Sequence, residues 1–336
     1  MTAAVGDRGR VLDLLWGFFP AQVIQTLTAL GVPDALGERP RNLAELAAEV
    51  GAQEQPMYRL VRAATGLGLV ETDAEGTWRL TADGELLRTG APGAIGNVAR
   101  LFCGGNRWQA WGELEHSVRT GEPSFVKVAG KTPFAYMAED PELLAVFTEA
   151  MAEGSRTSAP GIVATCDLAG VGTLVDVGGG NGTLLAAFLD ADRGLHGILF
   201  DTADGVGDAR DVLPERAEVV TGDFFEHVPG GDAHMIKSVI HDWDDEHSIA
   251  ILGRIREAMP PHGKLFLVEP VLPDDHEGLA RSKVTLMSDL NMLIMLGGRE
   301  RTEGEFRALL TAAGLRLVDV TPAPPGSFSV LTAVPE

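Results

Sequence analysis

The sequence predicts an α/β protein: a largely parallel sheet covered by helices on both faces, preceded by a mostly helical region with the element order of a winged helix. Three observations carry this. From about residue 171, apolar runs of 4–7 residues alternate with helical stretches, and strands apolar on both sides belong to a sheet buried on both faces. Before residue 82, three helix-like segments are followed by two strand-like runs. Near the C-terminus, two strand-like runs stand too close together for a crossover helix.

The bulk properties set limits. A chain of 336 residues that is 45% hydrophobic has material for a large core and about two domains. Its formal net charge of −21 repels a phosphate backbone, so nucleic acid is not an expected partner. Cys103 and Cys166 make neither a disulfide framework nor a zinc spacing, and fit a reducing cytoplasm. Arg8 and Arg10 before Leu14, Leu15, Trp16, Phe18 and Phe19 faintly resemble a signal peptide. Asp7 and Asp13 spoil its basic region and Pro20 interrupts it, so an amphipathic helix is the better reading. No apolar stretch reaches the length of a membrane span, and no membrane partner is expected.

In chain order, apolar spacing predicts a helix over 11–31 that stops at Gly31, a short one over 43–51 closed by glycine, and a third over 56–67. Residues 68–72 and 77–81 follow as a two-stranded ribbon. In a DNA-binding winged helix the third helix enters the major groove. Here it offers only Arg59 and Arg62, so a packing or dimerisation module is expected instead. Residues 85–155 read as helical and carry Phe102, Trp108, Trp111, Phe125, Phe134, Tyr136, Phe147 and Met151. Most of these are expected in the core, and a minority lining a pocket for a flat ligand.

The strands of the sheet are expected at Thr173–Val177, 197–200, 217–220, 234–240 and 264–268, with helices near 182–190, 205–213 and 245–259. Residues 315–321 and 327–334, joined by a proline-rich turn, should close the sheet's edge as an antiparallel hairpin. The domains are expected at 1–95, a dimerisation domain; 96–160, a helical linker with pocket residues; and 161–336, a cofactor-binding catalytic domain.

The turn after the first sheet strand reads Leu174-Val175-Asp176-Val177-Gly178-Gly179-Gly180-Asn181-Gly182-Thr183. Its glycines allow a sharp turn and let a ligand touch the backbone. Thr183 breaks the dinucleotide pattern, and no lysine follows Gly182 to make a phosphate loop. What remains, strand-Asp-x-Gly-x-Gly-x-Gly, suits S-adenosylmethionine, which has no phosphate but has an ammonium, a carboxylate and a ribose. Asp176, Gly178 and Gly180 are the turn's candidates for contacting it. Asp201 ends the next strand, where a carboxylate accepts from ribose hydroxyls. Asp223 follows the third strand and is placed to accept from an adenine amino group, with Phe224 covering the ring.

The fourth strand runs into His241, Asp242 and Trp243. Imidazole is the natural base near neutral pH. A phenol, with a pKa of about 10, needs such help to attack a sulfonium methyl. For a lone histidine at a strand end a structural role is the ordinary expectation. His241, Asp242 and His247 are conceivable metal ligands, but Asp244, Asp245 and Glu246 are better explained as the start of the helix near 245–259, and no metal is expected.

These motifs, Val175-Asp176-Val177-Gly178-Gly179-Gly180-Asn181-Gly182, His241-Asp242-Trp243, Glu269-Pro270 and Gly297-Gly298-Arg299-Glu300-Arg301-Thr302, together resemble the plant-type, caffeate- and hydroxyindole-like small-molecule O-methyltransferases. The resemblance spans nearly the whole chain and is strongest with actinobacterial enzymes that tailor aromatic natural products. It implies a Rossmann-like class I methyltransferase with a seven-stranded sheet, and a homodimer formed through the N-terminal domain, which contributes to the partner's pocket. It implies cofactor contacts at Gly178, Asp201, Asp223, Phe224, Lys237 and Ser155, a base at His241, and bracing acids at Glu269 and Glu300. A carboxylate on the far ring nitrogen fixes the tautomer and stabilises the imidazolium. Met151 and Met292 are implied as substrate contacts, with Asp289, Trp108 and Trp111 as further candidates; Phe147 and Asp242 complete the substrate side. The implied reaction is methylation of a phenolic hydroxyl of an aromatic, polyketide-like metabolite, leaving S-adenosylhomocysteine. The alternatives are a nitrogen or carbon acceptor, or the same fold turned to hydroxylation, decarboxylation or pericyclic chemistry.

Overall fold

The computed structural model describes residues 6–336. The chain divides into two compact units, one ending at Trp108 and one running Gln109–Glu336.

The first unit has helices at Arg8–Trp16, Phe18–Ala29, Val32–Glu38, Leu43–Glu49 and Glu54–Gly66. A small antiparallel sheet joins β1 (Arg41–Asn42), β2 (Val70–Thr72) and β3 (Thr77–Leu80), with β3 in the middle. Leu27, Leu36, Leu46, Met57, Val61 and Trp78 form its core. The helix expected over 11–31 is two helices, broken at Gly17. Pro20 explains the break, because it has no N–H to reach the Trp16 carbonyl. Gly31, in a left-handed conformation, ends the second helix, but Pro33 at once starts a third. The helix Arg8–Trp16 buries none of its side chains. Val11, Leu14, Leu15, Trp16, Phe18 and Phe19 are each about half exposed or more, an apolar surface of the kind that another protein face covers. Among the described residues no single helix is long and apolar enough to cross a membrane; only the pair Arg8–Ala29 and Val32–Glu38, bent by 60°, passes by length and composition.

The second unit is built on seven strands in the order β10-β11-β8-β7-β4-β5-β6. The strands are β4 (Thr173–Val177), β5 (His196–Asp201), β6 (Ala217–Thr221), β7 (Ala233–Lys237), β8 (Lys264–Leu272), β10 (Leu315–Pro322) and β11 (Phe328–Pro335). A two-residue strand, β9 (Arg301–Thr302), pairs with the end of β8. β4 to β8 run parallel, and β11 is antiparallel to both β8 and β10. The doubly apolar runs are explained by successive residues: Leu174 packs with Phe188 and Leu199 on one face, and Val175 with Phe200 and Ile255 on the other.

Three expectations about elements change. The fourth strand stops at Lys237 rather than 240, because Ser238 adopts a φ of 54° that no strand tolerates, and Ile240–Asp242 forms a 3-10 turn. The helix expected at 205–213 is two single turns, Ala203–Val206 and Ala209–Val212, separated at Gly207. β8 runs on to Leu272. Helices His276–Arg281, Lys283–Met295 and Glu303–Ala312 fill the stretch between β8 and β10; the middle one scatters Lys283, Thr285, Ser288, Asp289 and Asn291 among apolar residues and so shows no helical stripe.

Candidate active site

The turn after β4 brings three glycines with positive φ together, Gly178 at 67°, Gly180 at 57° and Gly182 at 79°. A side chain on Gly178 would come within 2.8 Å of the Val239 Cγ2, just before His241, so turn and histidine loop touch. A side chain on Gly180 would meet no protein atom within 4 Å, so this part of the turn faces open space. The Gly180 N–H donates to Asp201 Oδ2 at 2.8 Å, and Asp201 Oδ1 accepts from the Thr202 N–H at 2.6 Å. Asp223 accepts from the Phe225 N–H at 2.8 Å. Phe224 packs edge-on against Phe225 and Trp243, with centroids 5.0 and 6.2 Å apart. Gly180, Asp201, Asp223 and Phe224 thus line the carboxyl ends of three adjacent strands, where ligands bind in such sheets.

Asp176 is buried within the turn itself. Its side chain lies beneath Gly179, 1% exposed, with Oδ2 unpartnered. Burial, with Asp201 adding, pushes its carboxyl up to about 7. It lies against Gly179 of the turn, within electrostatic reach of Asp201 and Lys237. Lys237, at the end of β7, stands over the Phe328 ring at 4.7 Å. Burial lowers its pKa, while Glu269 and Asp176 oppose the shift. Ser155 is half-buried on the helix Pro141–Thr165, which packs along the helix Thr183–Ala191 that follows the turn.

Two acids converge on His241. Its Nδ1 is 3.1 Å from Glu300 Oε1 and 3.4 Å from Glu269 Oε2. Glu269, on β8, is fully buried, and its other oxygen accepts from the Val239 and Ile240 N–H groups at 3.1 and 2.9 Å. Glu300 also accepts from Ser288 Oγ at 2.6 Å. With Nδ1 held by acids, Nε2 points the other way, where Asp242 Oδ1 lies 3.6 Å off. Burial disfavours the imidazolium, but Glu269, Glu300 and Asp242 more than reverse this and push the His241 pKa up to about 10. Burial pushes the Glu269 carboxyl up to about 7 against the pull of His241. The arrangement is a buried imidazole with Glu269 and Glu300 at Nδ1 and the Asp242 carboxylate near Nε2, all three favouring its protonated form.

The loop around it depends on residues that the sequence does not flag individually. Arg301, fully buried, donates to the Ile240 and Trp243 carbonyls at 3.0 and 2.8 Å and pairs with Asp245 at 2.9 Å. The Arg299 N–H donates to the His241 carbonyl at 2.9 Å. Gly298 packs so tightly there that a β-carbon would lie 2.0 Å from that same oxygen.

The turn's donor set fits S-adenosylmethionine: open backbone at Gly180, and acids rather than cations at the next two strand ends. Comparison with known proteins agrees. The O-methyltransferase domain family matches residues 111–316, and the O-methyltransferase dimerisation domain matches residues 12–90. The chain belongs to this family. It is an S-adenosylmethionine-dependent O-methyltransferase. It is 42% identical to the O-demethylpuromycin-O-methyltransferase of Streptomyces alboniger, over 99% of this chain and 90% of that protein. The crystal structure of LaPhzM superposes with a TM-score of 0.93 at 35% identity, covering 99% of this chain and all of that one. NcsB1, an O-methyltransferase of neocarzinostatin biosynthesis bound to S-adenosylmethionine and 2-hydroxy-5-methyl naphthoic acid, superposes with a TM-score of 0.80 at 30% identity over the full length of both chains.

The substrate-side candidates of the methyltransferase divide. Met292, on the helix Lys283–Met295, is 8% exposed and stands one turn from Ser288, the brace of Glu300. Asp289 on the same helix accepts the Glu300 N–H at 2.9 Å, so it fixes the acid's backbone and is not simply a pocket-facing group. Phe147 and Met151 lie on the helix Pro141–Thr165, with Phe147 edge-on to Phe134 at 6.2 Å and Met151 exposed. Trp111 packs at the edge of a cluster formed by Ala110, Phe125, Ile294 and Met295. Trp108 ends the first unit and is half-buried.

Proposed function

We propose that this enzyme methylates a phenolic hydroxyl of an aromatic secondary metabolite, with His241 as the base. The observation that carries the reading is the convergence of Glu269 and Glu300 on Nδ1, which leaves Nε2 as the group that takes a proton. The names of its relatives support the acceptor class, since NcsB1 is seen with a hydroxynaphthoic acid. Gly178, Gly180, Asp201, Asp223, Phe224 and Lys237 are proposed to hold the cofactor, with Ser155 beside them. Bound S-adenosylmethionine supplies a methyl group on a sulfonium, open to in-line attack. His241 Nε2 accepts the phenol's proton as the oxygen attacks. Glu269, Glu300 and Asp242 raise the basicity of His241 above that of a free imidazole, which brings it closer to that of a phenolate. Glu269 and Glu300 stabilise the imidazolium that results.

The transfer is proposed to need no metal. The cluster of His241, Glu269 and Glu300 is compact enough to hold an ion, with ligand atoms within 4.8 Å of one another. One oxygen of each acid is taken, Glu269 Oε1 by the Val239 and Ile240 N–H groups and Glu300 Oε1 by Ser288 and the imidazole, while Glu269 Oε2 and Glu300 Oε2 have no hydrogen-bond partner among the described residues. The metal-free reading rests on a sulfonium methyl needing no Lewis acid to accept a phenolate. Homodimerisation through the first unit, with each N-terminal region completing the partner's pocket, and a cytoplasmic setting with both cysteines free belong to the same reading.

The test is transfer of labelled methyl to a panel of phenols, with a product heavier by one methylene unit. His241→Ala is expected to lower the rate about 100- to 10,000-fold, and chelator treatment to leave it unchanged. Full activity of the His241→Ala enzyme at neutral pH would remove the base from the mechanism, and an acceptor of unchanged mass would remove methyl transfer to phenols.

A further inference from the structure

We propose that Asn291 sets acceptor specificity: its side-chain oxygen accepts a hydrogen bond from an N–H or O–H carried by the aromatic acceptor in addition to the hydroxyl that is methylated. This rests on the aromatic-acceptor reading above. Asn291 lies on the helix Lys283–Met295, 6% exposed, and its Oδ1 has no hydrogen-bond partner among the described residues. Buried polar atoms are almost always paired, and an amide oxygen has two lone pairs to fill. Leucine would occupy nearly the same volume with no atom left unpaired.

Its position says what the missing partner is. Ser288, three residues earlier, donates to the Glu300 carboxylate that braces His241. Residues so spaced on a helix stand about 5–6 Å apart at Cβ, so Asn291 is the next side chain along from the brace of the base. On its other side, Ile294 and Met295 pack with Ala110 and Phe125, and Trp111 and Tyr136 edge that cluster. Asn291 thus stands where the acid–imidazole cluster meets an apolar, aromatic-edged wall. An aromatic ring with a second polar substituent is complementary to both. A plain monophenol would bury Asn291 unpaired, and a site built to hydrogen-bond a substituent rejects the analogue that lacks it.

The experiment compares 2-naphthol with the positional isomers of dihydroxynaphthalene, using wild-type enzyme and Asn291→Leu. In the wild type at least one isomer should exceed 2-naphthol in kcat/KM by about tenfold or more. In Asn291→Leu that ratio should fall to within about threefold of one, the expected result when only the second hydroxyl's hydrogen bond is lost. The Tm of the variant should hold or rise, since no hydrogen bond within the fold is removed. An unchanged ratio in the variant, a wild-type ratio near one for every isomer, or a fall in Tm with the ratio kept would each overturn the proposal. The same ratios read as binding, by quenching of tryptophan fluorescence with S-adenosylhomocysteine present, do not depend on turnover. If no naphthol binds or reacts, the aromatic-acceptor reading fails and this proposal with it. If all bind and the ratio is indifferent to residue 291, only this proposal fails.

Discussion

Replacing Gly298 by alanine tests the geometry of the base without touching any group that carries charge. The new β-carbon would lie 2.0 Å from the His241 carbonyl oxygen, 2.6 Å from the Asp242 carbonyl carbon and 2.8 Å from its oxygen. All three are backbone atoms, so no flexible side chain can swing aside. Ordinary contact begins near 3.4 Å, so the His241 carbonyl must withdraw by about 1.4 Å. That oxygen already holds the Arg299 N–H at 2.9 Å, so the loop 298–301 must follow or release it. His241 Nδ1 is only 3.1 and 3.4 Å from its two acids, and a displacement of this size takes it out of hydrogen-bond range of at least one. A misplacement of about 1 Å costs on the order of 100-fold in rate, and loss of a bracing acid adds to it. The expected fall in kcat/KM is therefore about 100- to 1,000-fold, measured by labelled methyl transfer to a phenol that the wild type accepts. Affinity for S-adenosylhomocysteine, measured by calorimetry, should stay within about threefold, because none of the proposed cofactor contacts makes the contact that is lost. A folded Gly298→Ala enzyme with wild-type kcat/KM, or one that loses cofactor binding in proportion to rate, would refute this chain of reasoning.

Two further outcomes follow from the same electrostatics. The acids raise the His241 pKa to about 10 from 6.5, so Glu269→Gln, which removes one negative neighbour, should lower it and shift the rising limb of kcat/KM to lower pH by about one unit or more; a limb that stays in place while the maximum falls would make Glu269 a packing residue only. Asp201→Ala removes the carboxylate that holds the Gly180 N–H and is proposed to meet the ribose. It should weaken cofactor binding about 10- to 100-fold, the worth of a hydrogen bond to a charged group, with kcat at saturating cofactor much less affected, and an equal loss in both would place Asp201 elsewhere in the mechanism.

What the sequence shows and hides follows from the range of the interactions involved. β4 is legible because Leu174 and Val175 are both apolar and face opposite cores, a local property. The cofactor side is legible because strand ends in a parallel sheet line up, so Asp201 and Asp223 are neighbours once the alternation of strands and helices is read. The overlong fourth strand is a different case. Residues 234–240 are uniformly strand-like in composition, and only the positive φ of Ser238 stops them. That conformation turns the Val239 and Ile240 N–H groups onto Glu269, a demand set by a residue on another strand. Gly298, Ser288 and Arg301 are hidden for the same reason. Gly298 and Arg301 enter the sequence reading only as members of the Gly297–Thr302 motif, and what each does, like what Ser288 does, is an approach to the histidine loop from elsewhere in the chain that no local pattern shows.

The pairing of two acids on one imidazole has a physical reason that neither acid alone reveals. A fully buried histidine is a weak base, because burial penalises the imidazolium. A sulfonium on the adjoining turn would penalise it further, and the contact between Gly178 and Val239 puts turn and histidine loop side by side. One carboxylate would offset one of these penalties and leave a base too weak to take a proton from a phenol. The second offsets the other, and a bound cation beside the histidine loop would draw the raised pKa of His241 back down. Burial is equally what keeps the acids from being wasted on water: Glu269 is fully buried and Glu300 nearly so, and each reaches the imidazole at hydrogen-bond or near hydrogen-bond distance. On this account the two acids set the strength of the base and the bound cofactor sets when it is released, so a substitution at either acid should alter the pH dependence of the cofactor-bound enzyme more than its affinity for cofactor.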